Sequence, residues 1–135
     1  MSTFPLKIVT PDGLIFDGQA QRIVVRTTTG DLCVLARHIN CVAPLGMGRA
    51  SVVDESGAVR YAACIGGMLS VVEGQVNLVP TTFEWADSID AARAQASQER
   101  AEQVLRNKDA SANDIRLAEA RLHRALVRKS VASSK

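Results

Sequence analysis

The sequence predicts an N-terminal antiparallel β-sandwich followed by a C-terminal antiparallel two-helix hairpin, and three observations carry that prediction. Every glycine and every proline lies at or before Pro80. Short apolar runs broken by turn residues fill that first stretch, and Ala, Arg, Gln and Glu dominate the rest. Gly costs about 1 kcal/mol and Pro about 3 relative to Ala inside a helix, so their presence marks turns and their absence permits long helices. The division falls between residues 1–86, a sandwich domain, and residues 87–135, a helical domain.

Leu6-Lys7-Ile8-Val9 reads as the first strand, ended by Thr10-Pro11-Asp12-Gly13. Leu14-Ile15-Phe16 reads as a second, stopped by Asp17-Gly18. Residues 21–26 and 31–35 flank the turn Thr27-Thr28-Thr29-Gly30. Residues 50–53 precede Asp54-Glu55-Ser56-Gly57, and residues 58–65, 68–72 and 75–79 follow. This spacing belongs to an antiparallel sandwich or barrel. Glu73-Gly74 predicts a two-residue hairpin loop, with Gly taking a positive φ cheaply. Pro80 closes the last strand. No helical stretch interrupts the series, which disfavours a parallel sheet.

Asp87 or Ser88 can cap a helix beginning at Ile89, with Asp90 in the first turn where the helix dipole favours an anion. Helix formers continue to about Arg106. The polar segment 107–114 reads as a turn, and Ser111 or Asn113 can cap a second helix running to roughly Lys129. Ile115, Ala118, Leu122, Ala125 and Leu126 form a narrow apolar stripe on it. So thin a seam predicts a hairpin that docks and undocks as a unit.

Several functions are disfavoured. No apolar run is long enough to span a membrane, and the first residues lack the basic and apolar regions of a secretory leader. Cys33, Cys41 and Cys64 are odd in number and show no C-x-x-C spacing. They read as small apolar side chains in a reducing cytoplasm rather than as a disulfide framework or a zinc site. Gly46-Met47-Gly48 and Gly66-Gly67 lack the flanks of a phosphate loop and read as tight turns. His38 sits in a loop with no identifiable nucleophile or carboxylate partner, so no catalytic set emerges.

Charge is concentrated in the last helix. From Ile115 onward Arg116, Arg121, Arg124, Arg128, Lys129 and Lys135 face Glu119 alone. Nucleic acid is disfavoured as the partner, because the sandwich carries no basic cluster and stacking candidates are few. Arg121, Arg124 and Arg128 share one helical face. Asp90, Arg93, Ser97 and Arg100 share another. That second face reads either as a nucleotide site, with a carboxylate beside two guanidinium groups, or as a capping carboxylate on a solvated helix surface.

Certain stretches resemble the epsilon subunit family of bacterial F-type ATP synthases. They are Ile8-Val9-Thr10-Pro11, Phe16-Asp17-Gly18, residues 30–35 with His38 behind them, Gly66-Gly67-Met68-Leu69-Ser70-Val71 and Ser88-Ile89-Asp90-Ala91-Ala92-Arg93-Ala94. The resemblance covers nearly the whole chain. It implies a sandwich of about ten strands and a helical hairpin. It implies a non-catalytic central-stalk subunit of a proton-translocating enzyme, with no metal and no required cofactor. The expected partners are the gamma subunit, the c-ring and the catalytic beta and alpha subunits. The expected location is peripheral, on the cytoplasmic face of the bacterial inner membrane, with no direct insertion. The hairpin would move between a folded form and an extended form that restrains ATP hydrolysis.

Residue by residue, the resemblance puts Asp31, Leu32, His38 and Cys41 in the partner interface. It puts Glu84, Asp90, Arg93 and Arg100 in a signature for a regulatory ATP. Arg121, Arg124 and Arg128 suit either the phosphates of that ATP or an acidic segment of the beta subunit. Cys33 replaces a usual Gly, Ala36 a common Pro, and Ile39-Asn40-Cys41 alters the expected contact loop. The alternative is a stand-alone ATP-sensing binding module.

Overall fold

The computed structural model describes residues 2–133. Nine strands come first: β1 (Phe4–Thr10), β2 (Gly13–Thr27), β3 (Gly30–Leu35), β4 (Cys41–Pro44), β5 (Met47–Asp54), β6 (Val59–Ile65), β7 (Met68–Val72), β8 (Gln75–Val79) and β9 (Thr82–Trp85). A 3-10 turn (Ala86–Ser88) leads to α1 (Ala91–Arg106) and α2 (Ala112–Ala132). The hydrogen-bonded order is β4-β7-β8-β1-β2-β5-β6-β9, with β3 beside β2. One apolar core joins Leu69, Val71, Val76 and Leu78 to Val52, Ala62, Cys64 and Phe83. Strands from the two ends of that order therefore face each other as layers, and β2 belongs to both. Each large side chain buried there contributes about 1.5–3 kcal/mol.

The sandwich and the hairpin are as the sequence predicts, with five local corrections. The family resemblance implies about ten strands, and the described residues form nine. Asp17-Gly18 does not stop a strand. Asp17 pairs with Lys7 and Gly18 with Leu6, so β2 runs 15 residues through them before an irregularity near Ala20–Arg22 brings it to β5. Pro80 does not end the sheet, because β9 follows it, pairs with β6 and buries Phe83. One pairing, β1 with β8, is parallel. It lies inside the strand order, where the β7–β8 hairpin is laid beside β1, and involves no helical crossover. Finally, α1 begins two residues later than predicted. Ile89 is extended and buried, and Asp90 is the N-cap, its carboxylate accepting from Arg93 N at 3.0 Å.

Two local predictions hold in detail. Glu73 and Gly74 have φ of 50° and 79°, the left-handed pair a two-residue hairpin between β7 and β8 requires. Ser111 caps α2 in a reciprocal box with Asp114: Asp114 N donates to Ser111 Oγ at 3.1 Å, and Ser111 N donates to Asp114 Oδ2 at 3.2 Å.

The helices meet through alanine. Ala94 and Ala101 of α1 and Ala118 and Ala125 of α2 are buried, whereas Leu126, assigned to the seam from sequence, is 44% exposed. The hairpin docks on the sheet at one end. Val131, with Val127 and Ala132 beside it, packs on Ala63, Ala86, Ile89 and Tyr61.

Candidate functional site

Docking of the hairpin encloses a groove of about 760 Å³ between the helices and the β6–β9 edge. Glu84 reaches it because β9 alternates: Phe83 turns into the core, which sends Glu84 to the helix side. From α1 come Ser97 and Arg100, and from α2 come Arg121, Arg124 and Arg128. Asp114 is a second acid in the lining, already committed to the α2 cap.

Glu84 and Arg128 form a two-point ion pair across 44 residues of sequence. Arg128 Nη2 donates to Glu84 Oε2 at 3.0 Å, and Nε lies 2.8 Å from Oε1 as an ion contact without hydrogen-bond alignment. Both side chains are about three-quarters buried. No ion pair among the described residues engages Arg100, Arg121 or Arg124. The groove thus offers three uncommitted guanidinium groups while both its carboxylates are occupied. Such a surface suits a polyanion.

Of the residues predicted for a nucleotide, the structure gathers Glu84, Arg100, Arg121, Arg124 and Arg128 here. Asp90 and Arg93 are not in the lining. The Asp90 side chain serves as a helix cap, which is the plainer of the two readings its spacing allowed, and Arg93 is exposed.

The predicted partner loop lies elsewhere. Asp31 pairs with Arg26 at 2.6 Å, both more than half exposed. Leu32 is only half available, since it packs against the core. His38 is half-buried, and its Nδ1 lies 2.8 Å from the Ile39 carbonyl oxygen. A carbonyl only accepts, so Nδ1 carries the proton. Cys41 Sγ sits 4.0 Å from the same nitrogen. Asn40 fastens the loop to the β7–β8 turn by accepting from Glu73 N at 2.9 Å. Ile39 at its tip is 76% exposed. The cysteines divide: Cys64 is buried, Cys41 half-buried and Cys33 exposed.

A second feature of the platform escaped the sequence reading. Leu69 and Val71 of β7 face the core, so Met68, Ser70 and Val72 face outward. Val42 lies opposite Ser70, and Val79 opposite Met68. Val42, Met68, Val72 and Val79 are 62%, 45%, 52% and 51% exposed. They form an apolar outer face, the type of surface that marks a docking site. The available signal was Met68-Leu69-Ser70-Val71-Val72, which is apolar on both faces of one short strand.

Comparison with known proteins gives a consistent picture. The family described as "ATP synthase, Delta/Epsilon chain, beta-sandwich domain" matches residues 3–86. That described as "ATP synthase, Delta/Epsilon chain, long alpha-helix domain" matches residues 87–133. The ATP synthase epsilon chain of Bacillus velezensis is 42% identical over 134 residues, covering 99% of this chain and 100% of that one. That of Caldanaerobacter subterraneus subsp. tengcongensis is 37% identical over 131 residues, covering 97% and 94%. Among solved structures, a chain of the Euglena gracilis mitochondrial ATP synthase superposes with a TM-score of 0.84 at 22% identity. It covers 100% of this chain and 83% of its own length, a likeness of fold.

Proposed function

The chain belongs to the ATP synthase delta/epsilon family, and from that premise we propose that it is a non-catalytic central-stalk subunit of a proton-translocating F-type enzyme. In this reading the sandwich couples c-ring rotation to the catalytic head through gamma. The hairpin restrains ATP hydrolysis when it leaves the sheet and reaches the beta and alpha subunits. The subunit then lies peripherally at the cytoplasmic face of the bacterial inner membrane. The observation that carries the reading is the apolar outer face of β4, β7 and β8, on the layer away from the helices. A surface of that kind fits a permanent partner such as gamma. The exposed Ile39 tip, braced by Asn40 and flanked by His38, fits the polar loops of a ring.

The arginine-lined groove supports a regulatory ATP, its phosphates held by Arg100, Arg121 and Arg124. The test is the assembled complex. Removing residues 87–135 should leave gamma and the c-ring co-purifying with the tagged chain while ATPase activity rises. Unchanged ATPase in a complex free of other inhibitors refutes the regulatory role, and loss of co-purification refutes the division of labour. Calorimetry of the full chain with ATP tests the groove; no heat at about millimolar ATP removes the nucleotide.

A further inference from the structure

Three ties fall within four consecutive residues near the end of α2. Arg128 holds Glu84 of β9 through two atoms. Lys129 Nζ donates to Gln98 Oε1 of α1 at 2.8 Å. Val131, 0% exposed, fills the small apolar cluster on β6 and the 3-10 turn. Among the described residues the polar side-chain bonds of the first half of α2 stay local: Ser111 and Asp114 bond to each other, and Arg116 bonds to Asn113 within the same helix. The Lys129 bond ties α2 to α1 within the hairpin, so seating on the sheet rests on the Arg128–Glu84 pair and on Val131 with Val127 and Ala132 around it.

We propose that Glu84 acts as an internal anion for Arg128, a latch that seats the hairpin on the sheet with no ligand in the groove. A guanidinium meets a carboxylate through one aligned hydrogen bond and one close ion contact, with both side chains about three-quarters buried, where the pair is screened less than on the surface. The carboxylate comes from the chain itself, so the seated state is self-sufficient. An anion that enters the groove and takes Arg128 displaces Glu84 and competes with the latch instead of adding to it. The inference stands on the ion pair and does not depend on whether the groove accepts a nucleotide.

Hydrogen exchange of the full chain in nucleotide-free buffer tests it. Amides of residues 124–132 should be protected in the unaltered protein. Glu84→Gln should speed their exchange about tenfold, as should Arg128→Gln read from the helix side, while β1 and β8 amides stay unchanged. The double exchange Glu84→Arg with Arg128→Glu should restore protection, which a loss of packing alone would not allow. The latch is overturned if these amides exchange freely in the unaltered protein, if neither single variant changes them, or if the double exchange behaves like the single ones.

Discussion

Cys64 lies between β5 and β9, opposite Gly48 on one side and Phe83 on the other, and is 2% exposed. Burial pushes its thiol up to about 12 from an ordinary 9.0. The sign follows from linkage. Below the ordinary value both states hold the proton and Cys64 adds no pH dependence. Between there and the folded value the unfolded chain binds fewer protons, so stability falls as pH rises, by up to about 1.4 kcal/mol per unit. The stability difference between the unaltered protein and Cys64→Ala should therefore narrow from about pH 9 upward in denaturant titrations. A difference that is constant between about pH 8 and about pH 11 contradicts this. Gly67 gives a second residue-level test. Its φ is 92°, and a Cβ there would stand 2.0 Å from the Val79 carbonyl oxygen. Gly67→Ala should destabilise by more than about 3 kcal/mol, seen as a lowered melting temperature, because backbone on that side cannot yield. The buried place of Cys64 was legible from its apolar neighbours. The contact at Gly67 was not, because Val79 comes near only after β7 and β8 have paired.

Among the elements, those governed by near neighbours were readable. The left-handed pair at Glu73-Gly74 and the Ser111–Asp114 box each lie within four residues of sequence, and the rules for both are local. Elements fixed by distant strands were not. Asp17-Gly18 has turn composition, yet β1 pairs across it and holds it extended. β9 is four residues long and follows a proline, so only its ladder with β6 identifies it. The start of α1 was misplaced because burial of Ile89 outweighs its helix propensity. The cap on α2 supplies a prediction at this scale. Ser111→Ala should cost about 1 kcal/mol and speed amide exchange in the first turn of α2 while the sheet stays unchanged. Equal exchange in that turn would show that the box contributes nothing.

For the whole molecule, the two candidate surfaces were unequally visible. The arginines on one face of α2 could be read from their spacing, and Glu84 from the family resemblance. That they meet across a groove depends on how the hairpin closes, which no local pattern states. The platform's apolar face was hidden because each of its residues is an ordinary strand residue when read alone. Val72→Glu and Met68→Glu place charge on half-exposed positions, so the fold should be kept within about 0.5 kcal/mol. Recovery of rotor partners with the tagged chain should drop severely, by pull-down from the assembled enzyme. Full recovery with both variants together would move the interface elsewhere.

The length of β2 has a mechanical consequence. Its first half pairs with β1 in one layer and its second half with β5 in the other, without a break in the backbone. The two layers cannot shear past each other unless that strand yields. A twisting load applied at Val42 and Val72 would pass through β2 to the sheet beneath the helices as torque, with little lost to slippage on the way.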